Sequence, residues 1–184
     1  MKPGYLRIIA GQWRSQRIPI PDAPGLRPTT DRTRETLFNW LTPHITQANC
    51  LDLCSGSGIF GFEALSRGAA HVTLIDKSPR VMKNLQEQKQ KFKTENAEII
   101  CADVVQWLSQ PATQQYDIAF IDPPFTEHLL QSICQPLAEN NWLKPHALIY
   151  LEMALTETLS LPNEWEQLKQ QKAGKVRYEL WRKN

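Results

Sequence analysis

Asp122-Pro123-Pro124-Phe125 follows the apolar run Ile118-Ala119-Phe120-Ile121. The Asp122 carboxylate and the Pro123 carbonyl are two acceptors on a backbone stiffened by proline, which fixes φ and has no N–H. Two acceptors on one NH₂ group aim that nitrogen's lone pair, and Phe125 offers a face on which the ring bearing the amine stacks. A ring amine is a poor nucleophile because its lone pair is delocalised. Bent out of conjugation by two hydrogen bonds, it becomes a competent one. These residue types suit methyl transfer to a ring amine, a reaction accelerated chiefly by orientation, with no strong base required. The plainer alternative is a strand-ending turn with a core phenylalanine.

A second constellation lies upstream in Leu51-Asp52-Leu53-Cys54-Ser55-Gly56-Ser57-Gly58-Ile59-Phe60-Gly61, where Gly56, Gly58 and Gly61 give G-x-G-x-x-G between a predicted strand and helix. Asp76 ends the next apolar run, 18 residues after Gly58. This is the dinucleotide-site layout: the glycines permit close backbone approach, and the carboxylate accepts from ribose hydroxyls. Asp52 argues against a pyrophosphate at the helix N-terminus, where anions dock. S-adenosylmethionine carries an ammonium, a sulfonium, a ribose and an adenine, but no phosphate. Asp52 suits the ammonium, Asp76 the ribose, and Asp103 the adenine amine; the plainer role of Asp103 is a cap for the helix predicted over Val104–Leu108, and the two can coexist. Ser55, Lys77 and Val104 flank these positions and join Asp122 in the expected cofactor set.

The elements that must hold these residues are legible in the pattern. Residues 6–21 read as two short strands around Gly11, and Asp31–Leu41 as a helix that Asp31 caps and Pro43 stops. From residue 49, five apolar strands alternate with helices, and the chain ends in a hairpin around Ala173-Gly174. Strand–helix alternation predicts an α/β fold with a doubly wound, largely parallel sheet. The expected division is an N-terminal hairpin extension over residues 1–26 and the catalytic domain over 27–184.

Composition sets the outer bounds. The 184 residues are 41% hydrophobic and 22% charged, ordinary for a globular chain. No run approaches the roughly 18 apolar residues of a membrane span. The N-terminus does not read as a secretory signal, so the cytoplasm is expected. Cys50, Cys54, Cys101 and Cys134 show no metal-ligand spacing and read as reduced core thiols. Residues 1–41 hold seven of the 21 basic residues and three of the 19 acidic ones, a balance of +4, leaving 14 basic and 16 acidic residues in the remainder. An anionic partner at the N-terminal end is one reading, and a solvated face the other.

The segments RPTTDRTRETLFNWL, LDLCSGSGIFGFEALSRGA and DIAFIDPPF together resemble the bacterial 16S rRNA guanine-N2 methyltransferase family of the RsmD type, from about Arg7 to Arg182. The resemblance implies a Rossmann-like, class I methyltransferase sheet of seven strands with an antiparallel last strand. It implies S-adenosylmethionine as cofactor and 16S rRNA as partner, within a 30S particle or assembly intermediate, the family target being guanine 966. Asp122, Pro123, Pro124 and Phe125 match the catalytic motif, and Asp52, Gly56, Gly58, Asp76 and Asp103 the cofactor positions. Cys54 departs from the glycine, and Asp76 from the glutamate, common in such enzymes. Arg7, Arg14, Arg17, Arg27, Arg32 and Arg34 then become candidate phosphate contacts. Trp13 becomes a candidate stacking platform, with packing of the hairpin as its alternative. A monomer without metal is expected. The competing functions are a DNA adenine-N6 methyltransferase sharing D-P-P-F, an NAD-dependent oxidoreductase using the glycine motif, and a non-catalytic RNA-binding assembly factor.

Overall fold

The five apolar runs and the C-terminal hairpin form the seven strands of one sheet in the computed structural model, which describes residues 4–21, 29–125 and 128–184. The strands are β3 (Asn49–Leu53), β4 (His71–Asp76), β5 (Ala97–Cys101), β6 (Tyr116–Ile121), β7 (Leu143–Ala154), β8 (Trp165–Ala173) and β9 (Val176–Lys183). Their order is β5-β4-β3-β6-β7-β9-β8. β3 to β7 run parallel, β9 lies antiparallel to β7, and β8 pairs antiparallel with β9. Strand order reverses between β3 and β6, which opens a crevice at their carboxyl ends. A separate two-stranded antiparallel sheet joins β1 (Tyr5–Arg7) to β2 (Arg17–Pro19).

Both faces of the large sheet are covered, so its central strands are apolar almost throughout. Leu37, Phe38 and Leu41 of α1 (Asp31–Leu41), Phe60 and Phe62 of α2 (Ile59–Ser66), and Val81 and Leu85 of α3 (Pro79–Lys91) pack on one face with Leu6, Ile8 and Ile18. Val104 and Leu108 of α4 (Val104–Leu108) and Ile133, Cys134 and Leu137 of α5 (Leu130–Glu139) pack on the other. Among the described residues no helix is long and apolar enough to cross a membrane.

Three details differ from the sequence reading. The cap of α1 is Thr30, whose hydroxyl accepts from the Thr33 N–H, while Asp31 is the first helical residue and pairs with Arg34 at 2.6 Å. The hydroxyl wins because it sits on extended backbone (φ −63°, ψ 153°), where an N-cap side chain can reach back to the first turn. β7 begins at Leu143, four residues before the apolar run that starts at Ala147 and marks this strand in the sequence. Its pairing with β6 slips between Tyr116 and Ile118, where Pro145 and left-handed His146 (φ 63°) make an irregularity that a pattern search takes for a loop. Finally, Cys50 and Cys134 are core thiols as expected, but Cys54 is half-buried and Cys101 exposed.

Candidate active site

The carboxyl end of the sheet carries four acids on four neighbouring strands. Asp52 on β3 aligns with Leu74 on β4 and Phe120 on β6, and Phe120 aligns with Tyr150 on β7. Strand side chains alternate between faces, so Asp76, Asp122 and Glu152 lie one pleat further along, on the face that carries α1 and α2. The sheet thus presents Asp76, Asp52, Asp122 and Glu152 in spatial order across the switch point.

The glycine turn is built for close packing. Gly56 (φ 52°) and Gly58 (φ 75°) are left-handed, and a Cβ on Gly58 would lie 2.5 Å from a Leu85 methyl. Cys54 adopts φ 62° without being glycine, which explains why glycine is favoured at that point of such turns. Gly58, the N-cap of α2, has no side chain to hold the first N–H groups of the helix. Asp52 supplies that acceptor from below, with Oδ2 taking the Gly61 N–H at 3.0 Å. Asp52 is 2% exposed, and burial, with the Asp76 charge nearby, pushes its carboxyl up to about 8. Asp76 Oδ2 accepts from the Gly56 N–H at 3.0 Å and Oδ1 from the Ser78 N–H at 2.9 Å. Each oxygen keeps a second lone pair. The Ser55 hydroxyl donates to the Asp52 carbonyl at 2.7 Å and so ties the turn to β3. Asp103 caps α4 through the Gln106 N–H at 3.0 Å, beside buried Val104, and Lys77 is exposed.

At the end of β6, Asp122 is half-buried, Pro123 buried, and Pro124 and Phe125 half-buried. The Thr29 hydroxyl, just before α1, lies 3.0 Å from Asp122 Oδ2 and 2.9 Å from Glu152 Oε2. The Tyr150 hydroxyl donates to the same Glu152 oxygen at 2.9 Å. Burial and then the charges of Glu152 and Asp122 hold the Tyr150 phenol well above its ordinary range, so it stays a donor. Thr29, Tyr150 and Glu152 escaped the sequence reading. The available signal was a glutamate inside the apolar run Leu148–Met153, where a carboxylate is rare unless it has work to do.

Residues 6–182 match the family described as conserved hypothetical protein 95. Ribosomal RNA small subunit methyltransferase D of Haemophilus influenzae is 46% identical over 181 residues, covering 97% of this chain and 94% of the relative. Its Escherichia coli namesake is 45% identical, covering 98% and 91%. The chain belongs to this family. The solved structure of the Escherichia coli protein yhhF superposes with a TM-score of 0.91 at 41% identity, covering 98% of both chains.

Family membership directs attention to the basic N-terminal end. Arg7, Arg14, Arg17 and Arg32 are exposed, and Arg27 lies outside the described residues. Arg34 must leave the set of phosphate contacts. It is fully buried, donates to the Arg7 carbonyl at 2.9 Å, and sits between Asp31 and Glu63, the latter at 3.6 Å. Glu63 is equally buried and accepts from the Ile9 and Ala10 N–H groups at 2.7 and 3.1 Å and from Arg67 at 2.7 Å. This ion network latches β1 and its following loop onto α1 and α2. Trp13 stacks on Phe92 at 4.5 Å between centroids, the packing role rather than a free platform.

Proposed function

We propose that the protein transfers a methyl group from S-adenosylmethionine to the exocyclic N2 amine of a guanine in 16S rRNA. It does so as a cytoplasmic monomer acting on a small-subunit particle or assembly intermediate, and needs no metal. In this reading residues 1–26 contact RNA and residues 27–184 carry the methyl transfer. The observation that supports it best is the Asp122-Pro123-Pro124-Phe125 turn beside the glycine turn at the switch point, in a family whose named relatives are ribosomal RNA methyltransferases.

The donor set fits the cofactor. The strand ends offer carboxylate acceptors, which suit an ammonium, a sulfonium and ribose hydroxyls. A pyrophosphate would meet Asp52 and Asp76, and would find the Gly61 and Gly56 N–H groups already held by those carboxylates. This disfavours the oxidoreductase. Asp52 would hold the ammonium, Asp76 with Gly56 and Gly58 the ribose, and Asp103 with Val104 the adenine; Ser55 and Lys77 border the same pocket.

Bound S-adenosylmethionine supplies a methyl group already activated by its sulfonium. The protein's part is orientation. Asp122 and the Pro123 carbonyl each accept one N–H of the target amine, Phe125 stacks on its ring, and the lone pair is left pointing at the methyl carbon. The N–C bond would form as the methyl–sulfur bond breaks, the sulfur keeping that electron pair as a neutral thioether; the alkylated nitrogen would then be acidic, and Asp122 would take its proton. Arg7, Arg14, Arg17 and Arg32 track the phosphates of RNA whose target base has been unstacked.

The test is methylation by purified protein of 16S rRNA, 30S particles and duplex DNA, with the product mapped by mass spectrometry. N2-methylguanine in rRNA is expected. N6-methyladenine in DNA would replace this reading with the adenine alternative.

A further inference from the structure

Asp122 follows directly on Ile121, the last paired residue of β6, so strand pairing does not fix its side chain. A carboxylate turns broadly about its last side-chain bond. A reaction accelerated by orientation needs that turn stopped, because a misplaced acceptor leaves the amine lone pair off the methyl carbon. Thr29 is placed to stop it. It is 6% exposed, and its hydroxyl lies 3.0 Å from Asp122 Oδ2 across 93 positions of sequence. Thr29 directly precedes Thr30, the cap of α1. That helix is firmly seated: Leu37, Phe38 and Leu41 are fully buried on the sheet, and the Phe38 ring meets Phe120 of β6 at 5.9 Å between centroids. Both ends of the Thr29–Asp122 contact are therefore tied to the same strand.

The Thr29 hydroxyl also lies 2.9 Å from Glu152 Oε2, and it has one proton for two acids. The same Glu152 oxygen accepts from the Tyr150 hydroxyl at 2.9 Å, so a Thr29 proton given to Asp122 leaves both oxygens with a donor. We infer that Thr29 is a positioning residue for methyl transfer: its hydroxyl donates to Asp122 and fixes the rotation of the carboxylate that receives the target amine. This rests on the role given to Asp122 above. The bond acts on the reacting geometry, so its loss is felt in the chemical step and not in the capture of S-adenosylmethionine or RNA.

Thr29→Val keeps the branched shape and removes the donor, whereas Thr29→Ser keeps the donor and removes a methyl. The measurement is the single-turnover rate constant, at saturating protein and S-adenosylmethionine, on whichever of 16S rRNA and 30S particles the wild type methylates. Affinities for S-adenosylmethionine and RNA are titrated separately. Thr29→Val should lower the rate constant by roughly 10- to 100-fold with both affinities within about twofold of wild type, and Thr29→Ser should stay within about threefold of the wild-type rate. Because Thr29 acts through Asp122, adding Thr29→Val to Asp122→Ala should slow that protein by no more than about twofold. A purely structural role would instead shrink the reaction amplitude and weaken both ligands, at an unchanged rate constant. A fall of less than about tenfold in Thr29→Val, a serine variant slower than about threefold below wild type, or a larger further loss on top of Asp122→Ala overturns the inference. If the valine variant does not bind S-adenosylmethionine, Thr29→Ala replaces it in both comparisons; loss of binding in both variants makes the residue structural and overturns the inference too. A full rate in Asp122→Ala would sink the role of Asp122 and this inference with it. A slow Asp122→Ala beside a full-rate Thr29→Val would sink this inference alone.

Discussion

At the scale of single residues, the candidate site divides into groups that bind and groups that react. Asp122→Ala should leave S-adenosylmethionine affinity nearly unchanged and lower the methylation rate by roughly 100-fold or more, because its aiming hydrogen bond matters chiefly in the transition state. A full rate in a folded Asp122→Ala protein would remove the motif from catalysis. Asp52 carries the pH signature. Its folded value of about 8 lies above the ordinary 3.8, so the folded protein binds this proton more tightly than the unfolded chain. That contribution is complete below the unfolded value and is lost as pH rises from about 4 to about 8, at up to ~1.4 kcal/mol per pH unit. Denaturant titrations at pH 5 and 7.5 should show wild type losing stability relative to Asp52→Asn, whose side-chain oxygen still accepts from Gly61. Parallel pH dependences would mean that Asp52 is ionised throughout. Asp76 and Asp122 were legible because each closes an apolar run, and Asp52 because it lies just before the glycine turn. Glu152 was not, because its meaning depends on what α1 and β6 bring beside it.

At the scale of elements, the N-terminal strands are held by one buried acid. Glu63 of α2 receives two backbone N–H groups of the segment after β1 and neutralises Arg34 of α1. Glu63→Ala would leave the buried Arg34 guanidinium with the half-exposed Asp31 as its one remaining ion-pair partner among the described residues and orphan both N–H groups. The expected loss is about 3–5 kcal/mol in urea denaturation. A loss below about 1 kcal/mol would mean that apolar packing of Leu6, Ile8 and Ile18 alone seats the segment. The helix limits of α1 and α4, and the Asp103 cap, could be read from spacing and cap residues, since both signals are local. The start of β7 could not, because its irregular pairing with β6 overrides the local effect of Pro145.

At the scale of the whole molecule, the basic excess of residues 1–41 resolves into exposed and buried parts. Arg14 and Arg17 are exposed beside the latched hairpin, whereas Arg34 is spent on internal charges. Replacing Arg14 and Arg17 together with Ala should weaken RNA binding, leave S-adenosylmethionine binding intact, and flatten the log affinity against log salt plot by roughly 0.7–0.9 per lost phosphate contact. Equal affinity with parallel salt slopes would leave this face merely solvated. The order of elements, the two turns that carry chemistry and the sense of the sheet were determined by the sequence itself, because alternation, glycine, proline and cap residues act on neighbours in the chain. Which charges face solvent and which acids share a hydroxyl was decided only by tertiary structure. Thr29 and Glu152 meet across 123 positions, and Ile9 and Glu63 across 54. Such pairs exist only once the helices have docked on the sheet, and no periodicity along the chain encodes a contact between segments that far apart.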